Sequence, residues 1–347
     1  MRVLLADPPA YTPYYDHELA EALAEAGADV ELVTSRFRFA DVPAPRLYRR
    51  RESFYPLSSR LFRRSRLRLP LKAVEHPFGL AALRRSRADV VHLQWLSVPQ
   101  VDDRFLRLRV PSVFTAHDLL PRRTAAKIDL WRRLLRRFDR VVVHSERGRE
   151  TLADLGVDRV RVIPLPVSPS SVERADDGRT LLFFGELRPY KGLPDALEVV
   201  RRIADSRLLV AGDPTEPLDG FLSAERVEWR LGYLPETEVA RALGEATVAL
   251  FPYRPELDQS AALAKALGAG VPAVCYDVGG IAEPVRRFGA GRVVEAGNVE
   301  ALVAAVQELL EDPTALEEAR TGARRARETL TWAEAARQHL DLYRELR

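Results

Sequence analysis

Short apolar runs of strand length alternate with helix-length amphipathic stretches along almost the whole chain, and the alternation breaks once. In the first half the runs are Val3–Ala6, Val30–Thr34, Val90–Gln94, Ser112–Ala116, Val141–Ser145 and Val160–Ile163. Helix-like segments such as Glu18–Ala26 and Lys127–Phe138 lie between them. In Lys127–Phe138, the residues Leu130, Trp131, Leu134, Leu135 and Phe138 share one face and arginines share the other, as in a helix packed on a core. Strands apolar on both faces must be covered on both, and strand–helix–strand repeats supply that cover. The expected fold class is α/β, with doubly wound parallel sheets.

The break is Pro164–Arg179, which holds three prolines and reads as a linker. A second alternating series runs from Leu181 to Val294, and helical patterns follow at Val299–Glu311, Pro313–Thr329 and Trp332–Leu346. In the last of these, Trp332, Ala336, His339, Leu340 and Tyr343 form one stripe. Single cores rarely grow past ~250–300 residues. The 347 residues are therefore expected to form two domains, 1–165 and 166–330, with 331–347 as a closing helix.

The stretch richest in chemistry is Leu-Leu-Phe-Phe-Gly-Glu-Leu-Arg-Pro-Tyr-Lys-Gly at 181–192. An apolar strand ends at Gly185, a loop carries Arg188 and Lys191, and Gly192 opens a helical segment. A strand, a cationic turn and a helix N-terminus together suit an anion such as a phosphate or diphosphate. The same residues also fit a solvated strand-to-helix turn.

Later pieces bear on that choice. Leu208–Gly212 is a strand with a glycine turn, and Leu231–Leu234 precedes a helical stretch at Glu236–Gly244. Val248–Pro252, Ala266–Pro272 and Asp277–Gly280 with Glu283 come next, in order. With Phe184-Gly185 and Lys191-Gly192, this series resembles the C-terminal domain of glycosyltransferase family 4. The resemblance covers most of residues 180–346 and is loose in the N-terminal half. It implies the GT-B fold, in which two Rossmann-like domains face a central cleft and the terminal helix crosses back to the first domain. The first domain would lie on the acceptor side and the second would hold a nucleotide sugar.

The resemblance also implies a retaining transfer of sugar from a nucleotide-diphosphate sugar to a hydroxyl of a glycan or lipid-linked acceptor, with no metal or other cofactor. Growing charge on the leaving phosphate calls for fixed cations and amides. Arg188 and Lys191 are the candidates, and His117, at the end of the Ser112–Ala116 run, matches the family's cleft histidine. Gly185, Gly232, Tyr233, Gln259, Ser260, Ala261 and Glu283 fall where the donor is expected, the base near Gly232 and Tyr233. The aromatic loop with Tyr11, Tyr14 and Tyr15 suits an acceptor sugar, and equally a structural turn.

Two positions depart from the family pattern. Glu186 stands where the family has arginine, and Arg188 lies two residues later. Lys265 stands where the family's second glutamate holds the donor ribose, and a lysine cannot accept from ribose hydroxyls. Lys265 is left to bind a donor phosphate or to be an exposed helix lysine, with Glu256 and Asp258 as weaker contacts to sugar hydroxyls. These departures keep a rival open, a degenerate protein that binds a sugar nucleotide without turnover. A sugar-nucleotide epimerase is a further alternative. A nicotinamide dehydrogenase is disfavoured, because no Gly-x-Gly-x-x-Gly turn comes after the Val3–Ala6 or Leu181–Phe184 run.

Charge is uneven. Residues 1–165 hold 31 Lys and Arg against 20 Asp and Glu, and the rest is net acidic. Residues 46–72 carry ten basic residues and one acid, Glu52, among aromatic and aliphatic side chains. That mixture suits an anionic membrane surface, or an arginine-rich loop. Nucleic acid is not expected, since no nucleic-acid motif accompanies the charge. Asp102-Asp103 reads as a solvated polar turn, His92 as buried structure, and His144 as the residue before an N-cap. One cysteine, Cys275, excludes an internal disulfide, and the opening Met1–Asp7 reads as a first strand rather than a secretory leader. The expected location is the cytoplasm, with peripheral attachment at the inner membrane face left open.

Overall fold

The structure, a computed structural model, describes residues 1–38, 41–60, 68–120, 126–170, 173–254 and 259–347. It divides into two compact units, Met1–Pro164 with Trp332–Arg347, and Leu165–Thr331.

In the first unit the strands are β1 (Arg2–Asp7), β2 (Asp29–Ser35), β3 (Arg49–Phe54), β4 (Val90–Leu93), β5 (Ser112–Thr115), β6 (Arg140–Val143) and β7 (Val160–Val162). Its helices are α1 (Pro13–Glu25), α2 (Arg68–Arg84), α3 (Pro99–Phe105), α4 (Ile128–Leu135), α5 (Glu146–Asp154) and the final α12 (Trp332–Glu345). The seven parallel strands lie in the order β3-β2-β1-β4-β5-β6-β7. The order reverses between β1 and β4, and ligands of open α/β sheets bind beyond the carboxyl ends of strands at such a point.

Alternation along the strands sorts two cores. Leu4, Ala6, Val91, Leu93 and Phe114 face a cluster with Leu80, Trp131 and Leu134. Val3, Leu5, Val90, Val113 and Val142 face Leu19 and Leu23 of α1 and Ala336, Leu340 and Tyr343 of α12. On that second face, two residues further along each strand, the apolar side chains give way to Asp7, His92, Gln94, Thr115, His117 and His144.

Strand β3 lies inside the basic segment, where no strand was expected. It is an edge strand whose Arg49 and Arg51 pair with Asp29 and Glu31 of β2, and an edge studded with charge resists pairing with other chains. Tyr48, Phe54 and Tyr55 are buried. The described aromatics between 46 and 55 are thus core rather than membrane-facing. No helix among the described residues is long and apolar enough to cross a membrane.

The second unit holds β8 (Thr180–Phe184), β9 (Arg207–Gly212), β10 (Val227–Leu231), β11 (Val248–Phe251), β12 (Ala273–Tyr276) and β13 (Gly291–Val294). They are parallel in the order β10-β9-β8-β11-β12-β13, reversing between β8 and β11. Around them stand α6 (Leu193–Arg202), α7 (Glu236–Glu245), α8 (Ala261–Gly268), α9 (Ala282–Phe288), α10 (Val299–Glu311) and α11 (Pro313–Thr329). Cys275 is buried in β12, and burial pushes its thiol up to about 12. The described part of Pro164–Arg179 is not a free linker. The Val167 amide donates to the Leu330 carbonyl at 2.7 Å, and Asp176 accepts from Arg174 and from Arg320 of α11.

Candidate active site

At the carboxyl edge of the second sheet, β8 ends in Phe184-Gly185 and the chain reaches Lys191 through one tight turn, Pro189–Lys191. Gly185 has φ +99°, and a Cβ there would lie 2.9 Å from Lys191 Nζ and 3.4 Å from the Cβ of Ala262. Only glycine leaves that space open. The same figures bring three features together: the end of β8, the lysine ammonium and the first turn of α8. Ser260 caps α8 by accepting from the Leu263 amide at 3.2 Å. The first-turn amides of a helix carry partial positive charge, which adds to the lysine's.

Lys191 is 7% exposed. Among the described residues its Nζ has one backbone contact, the Phe184 carbonyl at 3.4 Å, and lies over the Tyr253 ring at 5.4 Å. Burial pushes its pKa down to about 8, Glu186 opposes that fall, and Arg188 adds to it. A buried ammonium with so little compensation is costly unless an anion completes it. Gly192, at φ +76°, turns the chain into α6 where a Cβ would meet the Pro252 carbonyl at 2.0 Å.

The neighbours divide. Arg188 pairs with Glu186 at 2.8 Å on the loop. Lys265 pairs with both oxygens of Glu236 at 2.7 and 2.8 Å, so in this arrangement its charge is already answered. Gly232, at φ +116°, comes after β10 and donates its amide to the Gly212 carbonyl at 3.0 Å, while Tyr233 is exposed. Glu283 sits in the first turn of α9 after Gly279-Gly280. Gln259 and Ala261 flank the Ser260 cap. Glu256 and Asp258 lie outside the described residues.

The first sheet's carboxyl edge has a different character. His117 lies with its Nε2 3.0 Å from the Gln94 amide and its Nδ1 3.3 Å from His144 Nε2. Its ring stacks on Trp95, with centroids 5.3 Å apart, and meets the Tyr15 edge at 4.8 Å. Burial and the neighbouring His144 and His339 hold its pKa well below the usual histidine value.

The proton positions are set by the partners. His144 Nδ1 faces the Ile163 carbonyl at 2.9 Å and must carry a hydrogen. The ring is neutral, its pKa pushed down to about 4 by burial, so Nε2 is a lone pair. His117 Nδ1 lies 3.3 Å from it, and His117 Nε2 faces Gln94 Oε1 at 3.0 Å. The Gln94 amide nitrogen is buried without a hydrogen-bond partner among the described residues.

His92 lies beneath α12, and His339 stands on that helix. His92 bonds the Tyr343 hydroxyl at 2.6 Å and the Thr115 hydroxyl at 2.7 Å, and its ring lies 5.4 Å from that of His339. His144 precedes the Ser145 cap of α5, which accepts from the Gly148 amide at 2.8 Å. Of the loop tyrosines, Tyr11 and Tyr14 are exposed. Tyr15 is packed among His117, His144 and Trp332, a core position rather than an open stacking face.

Asp102 corrects the expectation of a solvated turn. It is buried in α3 and accepts from His76 Nε2 at 2.6 Å, while His76 Nδ1 bonds the Tyr55 hydroxyl at 2.7 Å. Asp103 pairs with Arg133 and Arg137. Sequence reasoning also missed Gln94, Trp95 and the pair Asp7 and Asp16. The available signal was that Asp7 and Gln94 are polar residues at the ends of apolar strands on one face of the sheet.

Residues 15–171 match the family profile Glycosyltransferase Family 4, and residues 178–312 match Glycosyl transferases group 1. The chain belongs to these glycosyltransferases. It is 29% identical over 276 residues to a glycogen synthase of Mycobacterium tuberculosis, covering 71% of this chain and 65% of that protein's length. It is 28% identical over 247 residues to a 2-deoxystreptamine glucosyltransferase of Streptomyces kanamyceticus, covering 62% of each. Among solved structures, a sucrose-phosphate synthase of Thermosynechococcus elongatus superposes over 100% of this chain and 99% of its own, with a TM-score of 0.77 and 21% identity. The Anabaena protein HepE in complex with UDP-glucose matches over the full length of both chains, with a TM-score of 0.72 and 16% identity. The fold of this family member is GT-B.

Proposed function

We propose that this protein transfers a sugar from a nucleotide-diphosphate sugar to a hydroxyl of a glycan or lipid-linked acceptor, with retention at the sugar carbon. The observation that carries the reading is the buried, undercompensated Lys191 beside Gly185 and the first turn of α8. A diphosphate there supplies the missing anion, and the ammonium and amides stabilise charge on the leaving phosphate oxygen. Arg188 joins in by exchanging Glu186 for phosphate. By the family resemblance, His117 is the first unit's candidate sugar contact and Glu283 a candidate donor contact of the second unit. The HepE structure with UDP-glucose and a starch synthase IV structure with ADP support a nucleotide-sugar donor, without choosing the base.

A second reading, nucleotide-sugar binding without turnover, draws on the Lys265–Glu236 and Arg188–Glu186 pairs. Both take a cation that stood as a candidate for a donor phosphate into an ion pair within the unit.

The test is a thermal-shift panel of UDP, GDP, ADP and CDP, each with and without a sugar, on wild type and Lys191→Ala. Selective ligands raise the melting temperature by mass action. One nucleotide should stabilise the wild type, and the variant should bind it about tenfold to a hundredfold more weakly, the worth of one charge-assisted hydrogen bond. Release of free sugar or glycosylated acceptor separates transfer from binding alone. No shift with any nucleotide would remove both readings.

A further inference from the structure

Asp7, at the carboxyl end of β1, and Asp16, on α1, are 0% and 1% exposed. Thr12 binds both: its amide donates to Asp7 Oδ2 at 3.1 Å, and its hydroxyl to Asp16 Oδ1 at 3.4 Å. That leaves one oxygen of each, Asp7 Oδ1 and Asp16 Oδ2, buried without a hydrogen-bond donor among the described residues. Two bare carboxylates cannot share such a place, because like charges in a dry site drive one of them to keep its proton. One hydrogen between the two orphan oxygens satisfies both.

The backbone decides which residue keeps it. The Thr12 amide donates to Asp7 Oδ2, and the nearby amides of Ala10 and Tyr11 add to the field that favours its ionised form, whereas Asp16 has the Thr12 hydroxyl besides Asp7. Burial and the charge of Asp7 both push Asp16 up. Among the described residues, Tyr15 and Tyr48 lie toward Asp16 and Tyr55 toward Asp7, and none of these is a cation. The same loop holds Ala10 at φ +55°, a backbone conformation that needs support.

We propose that Asp16 stays protonated at neutral pH and donates to Asp7, and that this bond positions His117 through Thr12 and Trp95. The link is continuous. Thr12 spans the carboxyl pair, its hydroxyl accepts from Trp95 Nε1 at 2.8 Å, and the Trp95 ring stacks on His117. Asp16 is thus a positioning residue, and its part in transfer rests on the function proposed above. Ionising Asp16 at high pH sets two negative charges together, opens the loop and releases the tryptophan from the histidine.

The test uses the full chain. The infrared difference between wild type and Asp16→Asn at neutral pH should contain the C=O stretch of a protonated carboxyl, and that band should vanish on alkaline titration. With 15N-labelled histidine, the His117 ring signals should move with the band in wild type and stay fixed in Asp16→Asn. The asparagine can still donate to Asp7, so it should keep transfer within a few-fold of wild type and lose the alkaline limb of the rate profile. Asp16→Leu, which cannot donate, should lose transfer or stability. A missing band in the difference spectrum, or a His117 signal indifferent to it, would overturn the proposal. If no nucleotide sugar is turned over, the infrared and histidine signals still decide it, and only the function reading fails.

Discussion

At the carboxyl edge of the first sheet neutral polar groups bond one another, with a few buried atoms left over, and at that of the second a lysine is left nearly unanswered. Both edges lie where the strand order of a parallel sheet reverses, β1 to β4 and β8 to β11. The first is filled with neutral histidines, an amide and a carboxyl pair, each bonded within the unit. The second offers a cation, a glycine and a helix N-terminus. Shared topology fixes where a site forms, and the side chains at the strand ends fix whether it is closed on itself or waits for a ligand. A neutral network bonded largely within its own unit orients groups, whereas an undercompensated charge binds.

The largest expected effect lies on the first edge. Burial holds His144 and His339 down at about 4, against an ordinary histidine near 6.5. Both are neutral in the folded state while the unfolded chain takes up protons below about pH 6.5. Stability is therefore full above that pH and is lost as pH falls toward about 4, by a few kcal/mol for each buried ring. Asp7 and Asp16 have the opposite sign: their raised values cost stability as pH rises above the carboxylate range. Denaturant melts from pH 7 to 4 in an Asp16→Asn background isolate the histidine slope. Adding His339→Leu should make it shallower by one ring's share, because His339 Nε2 is buried without a partner among the described residues. A slope unchanged by that variant would break the account of this edge.

The second edge should respond at the other end of the pH scale. Lys191, at about 8, loses its charge while surface lysines keep theirs. Affinity for the stabilising nucleotide should fall above about pH 8, approaching tenfold per pH unit, since only the ammonium binds the anion. Titration calorimetry from pH 7 to 9.5 checks this. Lys191→Arg stays charged throughout and should show a flat profile, at lower affinity because its planar fork does not fit the space beside Gly185. A pH-independent wild type would remove Lys191 from the binding site.

The fold was legible because buried parallel strands are continuous apolar runs, and the six runs read in the first half are all strands of its sheet. The strands that escaped are edges. In β3, Arg49-Arg50-Arg51-Glu52 has no apolar period, since its side chains pair with β2 rather than fill a core. In β10, Val227–Leu231 alternates with charge. The positions of Lys191 and His117 could be read from strand-end logic. Their partners could not, because Gln94, His144 and Trp332 meet His117 or Tyr15 only after folding. Lys265 shows the same limit. Its answer, Glu236, lies 29 residues away on another helix, and nothing in the local pattern announces it.

The smallest prediction sharpens the comparison on matched chemistry. Each edge has a serine cap, Ser145 on α5 and Ser260 on α8, each accepting one amide of its helix. Replacing such a cap with alanine costs about 1 kcal/mol. For units of this size that is a fall of roughly 2–4 °C in melting temperature. Ser145→Ala and Ser260→Ala should therefore lower the melting point by similar amounts. Their effects on nucleotide binding should differ. A frayed first turn of α8 moves the amides beside Lys191 and weakens binding severalfold, whereas fraying α5 leaves it intact. Calorimetric melts with and without the nucleotide read both effects from one pair of variants. Equal loss of binding in the two would mean that nucleotide affinity tracks general stability, and the distinction between a closed edge and an open one would fall with it.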